Sequence, residues 1–215
     1  MDFEILIKMF PILLKGSVIT VELTVLSVLI GSIIGIIVAL MKISNNIVIS
    51  KIATFYTWIF RGTPMLVQLF VIYYGLPSLG IKLQPFNAAI IGLSLNSGAY
   101  MAEIIRGGIQ SVDKGQFEAC KALGFTYFQT MKRVILPQTF KNIIPPVGNE
   151  FITMLKDTSL VSAIAMEELM RNAQLRMSAT GRTVEPFFLA ACLYLFMTTI
   201  FTVVFSRIEK KLSVY

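Results

Sequence analysis

The sequence predicts an all-α integral membrane protein, with five transmembrane helices and a helical loop on the cytoplasmic side, in one domain spanning residues 1–215. Three observations predict it. The chain is 55% hydrophobic and only 14% charged, more apolar material than one soluble core of this length can hide. Several apolar runs approach the ~20 residues that a helix needs to cross hydrocarbon. The basic residues that give a net charge of +7 collect on the segments between alternate runs, as in a chain oriented by its cytoplasmic loops.

Composition also excludes. No basic cluster interleaved with aromatics sits on a polar segment, which argues against nucleic acid as a partner. Cys120 and Cys192 give neither a disulfide framework nor metal-ligand spacing, and no metal site is expected. The chain has no histidine, so the usual general base and the commonest zinc ligand are missing. No GxxxxGK[ST] phosphate loop occurs, so ATP hydrolysis is not expected of this chain, and the chain is expected to hold no cofactor.

The amino end, Met1-Asp2-Phe3-Glu4, is acidic where a secretory leader is basic, and no leader is expected. The first fifteen residues suit a short interfacial helix broken near Pro11. Span one covers about 18–41. Its Ser27, Gly31, Gly35 and Ala39 recur every four residues, a stripe small enough for another helix to approach closely. After a polar turn, Thr63 is a good N-cap and Pro64 suits a first helical position, so span two is placed at about 62–79; being short, it either includes Phe60 and kinks at Pro64 or crosses a thin stretch of bilayer. Arg61 then reaches to the interface.

Span three covers about 85–105, and Asn96, Tyr100 and Glu103 (i, i+4, i+7) form a polar stripe on it. Such groups at membrane depth face a cavity or a partner, and Glu103 also has Arg106 within reach at i+3. Span four, about 145–166, follows Pro145-Pro146 and carries Lys156, Asp157 and Ser159. If it spans, its charges serve a ligand site or a structural ion pair. Residues 166–185 read as an exposed polar segment, span five as 186–206, and the tail beyond as basic.

The central loop, about 107–140, cannot sit in a bilayer. Asp113 can cap a first short helix, with Gln116 three residues on. Phe117, Cys120 and Leu123 share one face, and Gly124 stands where a helix takes a left-handed stop. Thr126 with Gln129 is a capping box for a second helix, expected to end before Pro137. A capped helix pair between spans suits either the docking of a soluble partner or an interfacial position on lipid. With five spans, the side of this loop holds twelve of the 19 Lys and Arg residues, which puts the loop and the carboxyl end in the cytoplasm and the amino end outside.

Glu118-Ala119-Cys120, Gly124 and Val134-Ile135-Leu136-Pro137 resemble the EAA loop of permease subunits of bacterial ABC importers, with Cys120 and Val134 as conservative departures. Arg61-Gly62-Thr63-Pro64, the run from Ala99 to Gly108, and Leu155-Lys156-Asp157-Thr158-Ser159-Leu160 are similar to its polar amino-acid branch, the histidine, arginine and glutamine type, over nearly the whole chain.

The resemblance implies the type I ABC importer permease fold in a bacterial cell (inner) membrane, with several partners. These are two copies of a cytoplasmic ABC ATPase that carry ATP and Mg, a second permease subunit (identical or a close homologue), and an extracytoplasmic substrate-binding protein. It implies ATPase docking at Phe117, Glu118, Ala119, Lys121 and Gly124. For the cargo it directs attention to Asn96, Tyr100, Glu103, Lys156, Asp157 and Ser159. An amino acid needs one partner for its ammonium and one for its carboxylate, and the added negative charge of Glu103 favours arginine, lysine or histidine over glutamine or another polar amino acid. A secondary transporter or channel is the rival from another class. It would leave the capped loop without a purpose.

Overall fold

Apolar side chains run almost unbroken from the amino end, and the backbone winds as one helix, α1 (Phe3–Lys42), about 60 Å long. The computed structural model describes residues 3–213; Met1 and Asp2 of the acidic start and Val214 and Tyr215 of the basic tail lie outside them. The expected break near Pro11 does not occur. Pro11 is exposed inside α1, and the core side chains Met9 and Leu13 to either side hold the helix across the one backbone hydrogen bond that proline removes.

Helix α2 (Ile47–Gly62) starts ahead of the apolar run, because Asn46 Oδ1 accepts from the N–H groups of Val48 and Ile49. Thr63 does not cap the next helix. Its hydroxyl donates back to the carbonyl of Ile59 at 2.8 Å, and the residue closes α2 in an extended conformation, as the residue before a proline must. Helix α3 (Met65–Phe70) begins after Pro64 and continues as a π turn (Val71–Gly75) and a 3-10 turn (Leu76–Leu79). The pair is bent by 105° at the break, so the run at 62–79 is one limb of an elbow whose other limb is α2, the kinked alternative at Pro64.

Helix α4 (Pro85–Gln110) precedes the short helices α5 (Lys114–Ala122) and α6 (Tyr127–Thr130). A π turn (Met131–Ile135) then joins α6 to α7 (Leu136–Asp157), so helix does not stop before Pro137. Pro137 falls in the first turn of α7, beside the widened π turn, and Pro145 and Pro146 lie inside α7 rather than opening a span. A 3-10 segment (Thr158–Ile164) ends on Ala165 at φ 60.

The stretch expected to be exposed forms α8 (Leu169–Thr180), and its Leu169 and Ala173 are buried in the same core as Met9 and Leu13. Helix α9 (Val184–Ser213) takes in span five and the start of the tail.

Among the described residues, α1, α4 and α9 are long and apolar enough to cross a membrane, and the α2–α3 elbow makes a fourth such unit. Helix α7 is not among them, because Lys141, Asn142, Asn149, Glu150, Lys156 and Asp157 dilute its apolar face. The main core gathers side chains from α1, α3, α4, α7, α8 and α9, and α1 packs closely on α4 within it. A methyl group at Gly31 would stand 2.8 Å from Ser97 Cβ, and one at Gly35 2.5 Å from Met101 Cβ, so the small-residue stripe does bring two helices into contact.

Candidate functional site

The loop between α4 and α7 is built as its capping chemistry predicts. Asp113 Oδ1 accepts from Gly115 N–H, and both halves of the Thr126–Gln129 capping box are formed. Gly124 sits at φ 76. The amide of Phe125 donates to Cys120 O at 2.9 Å and that of Gly124 to Lys121 O at 3.0 Å, a Schellman stop.

The face expected to be continuous is divided. Cys120 is buried and Phe117 packs on a cluster of Ile109, Val112 and Ile135, while Leu123 points away, 75% exposed. Glu118, Ala119, Lys121 and Gly124 are exposed, and so are Tyr127 and Phe128, which sequence reasoning did not single out. Asn142 Nδ2 donates to Ser111 Oγ at 2.8 Å, which ties the loop's two stems together.

The polar stripe of α4 faces the elbow and α1. Asn96 Nδ2 donates to the carbonyl of Phe60 and to Gln68 Oε1, and Gln68 Nε2 in turn donates to Phe60 O, Thr63 O and Thr63 Oγ1. These bonds satisfy the backbone carbonyls that the break at Pro64 sets free. Tyr100 lies under the guanidinium of Arg61, 5.3 Å from its ring centroid. Glu103 pairs with Lys42 of α1 and with Arg106 at 2.7 Å, the i+3 partner expected for it. All three residues are occupied in ties between helices.

Lys156, Asp157 and Ser159 lie elsewhere. Near Glu103, the wall of α7 is formed by Lys141, Asn142 and Pro145, along an open cleft of about 640 Å³. Asp157 is twelve residues beyond Pro145, roughly 18 Å along the helix. Glu103 and Asp157 therefore stand at different levels along α7.

A buried acid on the same helix is one that the sequence did not suggest. Glu150 is 8% exposed and shares a face of α7 with Asp157, at i and i+7. Lys156 is exposed and Ser159 half-buried beside them. Among the described residues, no group of His, Cys, Asp or Glu could hold a metal ion.

A second buried acid was also missed. Glu168 is fully buried, accepts from Thr20 and Tyr194 hydroxyls, and caps α8 through the N–H of Arg171.

Comparison with known proteins sets this geometry in context. The chain is 44% identical over 214 residues to the arginine transport system permease protein ArtQ of Bacillus subtilis (strain 168), covering 99% of this chain and 98% of that one. It is 43% identical over 216 residues to the putative glutamine transport system permease protein GlnP of Rickettsia felis, with 99% of each covered. Its fold superposes with a TM-score of 0.94 on a chain from the crystal structure of an amino acid ABC transporter with histidines, at 44% identity over 98% of this chain and 99% of that one. Residues 31–214 match the family described as binding-protein-dependent transport system inner membrane component. With most of its length inside that match and relatives this similar end to end, the chain belongs to the family of inner-membrane components of binding-protein-dependent transport systems.

Proposed function

We propose that this chain is the permease subunit of an ATP-driven amino-acid uptake transporter, with a basic amino acid (arginine, lysine or histidine) as its cargo. The observation that carries the reading is the helix pair of α5 and α6. It is capped at both starts, stopped by Gly124, and leaves Glu118, Ala119, Lys121, Leu123, Tyr127 and Phe128 uncovered. Large apolar groups on a capped polar loop suit a soluble partner. In this reading two copies of an ABC ATPase, which carry ATP and Mg, grip the loop, and a second permease subunit completes the path.

The α7 helix with its 3-10 extension is then a fifth crossing. Its charged groups are tolerable because they face that path rather than lipid. The loop and the carboxyl end lie in the cytoplasm and the amino end outside. An extracytoplasmic binding protein delivers the cargo, and closure of the ATPases biases a two-state permease between outward and inward openings.

A basic cargo is supported by Glu150 and Asp157. Two carboxyls on one helix face, one of them buried, suit a guanidinium, ammonium or imidazolium better than a neutral amide. The relative named for arginine agrees with this reading. Those named for glutamine keep a neutral polar amino acid as the second reading.

The test is ATP hydrolysis by the reconstituted permease–ATPase pair, with and without loaded binding protein, in wild type and in Gly124→Asp. Stimulation in the wild type that vanishes in a still-folded variant supports the reading. Failure of any ATPase to bind, or unchanged stimulation in the variant, returns the chain to the secondary-transporter class.

A further inference from the structure

The guanidinium of Arg61 has five N–H donors, and its one described contact is the face of Tyr100. It stands on the wall of a cavity of about 340 Å³ that it shares with Lys42, Thr57, Trp58, Tyr100 and Glu103. Lys42 spends one donor on Thr57 Oγ1 at 2.9 Å and one on Glu103, which also takes two bonds from Arg106. Glu103 is thus already paired with two cations, and with Lys42 and Arg61 against the one carboxylate on its wall the surplus charge of the cavity is positive.

The level of this cavity in the molecule is equally informative. Helix α1 ends at Lys42, and an ammonium, a carboxylate and a guanidinium meet there, which places the site where water and headgroups reach rather than in hydrocarbon. Trp58 of the cavity wall is itself 69% exposed and stacks on Phe55 with ring centroids 5.9 Å apart, the kind of aromatic pair that marks a membrane interface. Ile52 and Phe55 continue the exposed apolar face of Trp58 along α2.

We infer that the cavity binds the phosphate headgroup of an anionic phospholipid of the inner leaflet, with its acyl chains laid along α2. The guanidinium fork of Arg61 takes two phosphate oxygens, the remaining donor of Lys42 a third, and the Trp58 indole N–H the glycerol backbone. Basic pockets between membrane helices on the cytoplasmic side are suited to such headgroups. The surplus positive charge selects phosphatidylglycerol over a choline headgroup, whose own cation would meet Lys42 and Arg61.

The experiment uses the full-length chain, purified in nonionic detergent and stripped of lipid. Its thermal midpoint is followed during titration with short-chain phosphatidylglycerol, phosphatidylcholine of the same chain length, or inorganic phosphate. Phosphatidylglycerol is expected to raise the midpoint at concentrations where the other two do not. Arg61→Gln is expected to need at least tenfold more of it, and Arg61→Lys an intermediate amount, while Arg207→Gln, outside the cavity, responds as wild type.

Should Arg61→Gln not survive purification, Trp58→Ala is expected to fold and to lose affinity several-fold. Equal stabilisation by phosphatidylcholine overturns the inference. So does reproduction of the effect by free phosphate, or a wild-type response in both Arg61→Lys and Trp58→Ala. A dimer that forms only with Arg61 intact and ignores lipid would put a second copy on this face and overturn it as well.

Discussion

Tyr194 of α9 donates a 2.9 Å hydrogen bond to the carboxyl of Glu168, the residue that caps α8. Thr20 of α1 donates to the same carboxyl at 3.2 Å, so one fully buried side chain joins three helices. Glu168→Leu would strand both hydroxyls and uncap α8, and is expected to cost about 3 kcal/mol of stability. Glu168→Gln keeps an acceptor for the cap and should cost less than half as much. Thermal unfolding in detergent ranks the two; equal midpoints would remove the node from the account of the fold.

The approach of α1 to α4 sets a second expectation. Gly35→Ala places a methyl 2.5 Å from Met101 Cβ, and overpacking of this kind costs about 1–3 kcal/mol. Gly62→Ala meets no atom within 4 Å and should lie within about 0.5 kcal/mol of wild type. The difference between the two variants, read as a shift in unfolding midpoint, checks the helix contact.

Glu103 is held by Lys42 and Arg106 with only 15% of its side chain accessible. Glu103→Gln leaves two cations facing one another without their carboxylate, and a loss of about 2–3 kcal/mol is expected. Replacing both Lys42 and Glu103 by apolar residues should recover at least half of that loss. A double-mutant cycle on the unfolding midpoint measures the coupling; additive effects would mean that the pair does not hold α1 to α4.

For transport, Glu150→Gln removes a charge from the face of α7 and keeps the shape. A charge-assisted hydrogen bond is worth about 1.5–3 kcal/mol, so arginine uptake into proteoliposomes should require roughly 10–100-fold more cargo at saturating binding protein. Glutamine uptake, if present, should change little. A uniform loss for both amino acids would indicate a structural role for Glu150.

The sequence was most legible where chemistry is local. Asp113, Gly124 and the Thr126–Gln129 pair announce their caps within four residues, and the stripe of Gly31 and Gly35 announces a helix contact by spacing alone. It was least legible where distant segments decide.

Glu168 read as exposed because a carboxylate in a polar stretch usually is, and Glu150 drew no attention; the burial of Glu168 depends on α1 and α9 closing over it. The prolines were legible only in part. Pro64 breaks a span into an elbow because Gln68 and Asn96 are at hand to satisfy the broken backbone, whereas Pro11, Pro145 and Pro146 sit inside continuous helices held by their neighbours. The polar partners of Asn96, Tyr100 and Glu103 come from distant segments of the same chain, and Tyr100 and Glu103 also line a cavity.

The unbroken winding from Tyr127 through the π turn to Asp157 has a mechanical consequence. It makes a rod of about 45 Å with the exposed aromatics Tyr127 and Phe128 at one end and Glu150 and Asp157 towards the other. Tilting such a rod by about 10° around its midpoint would carry each end roughly 4 Å, more than the reach of a hydrogen bond. A push delivered at the loop would thus be felt as a change of partners at the acidic face, with no signal passing through any intervening side chain.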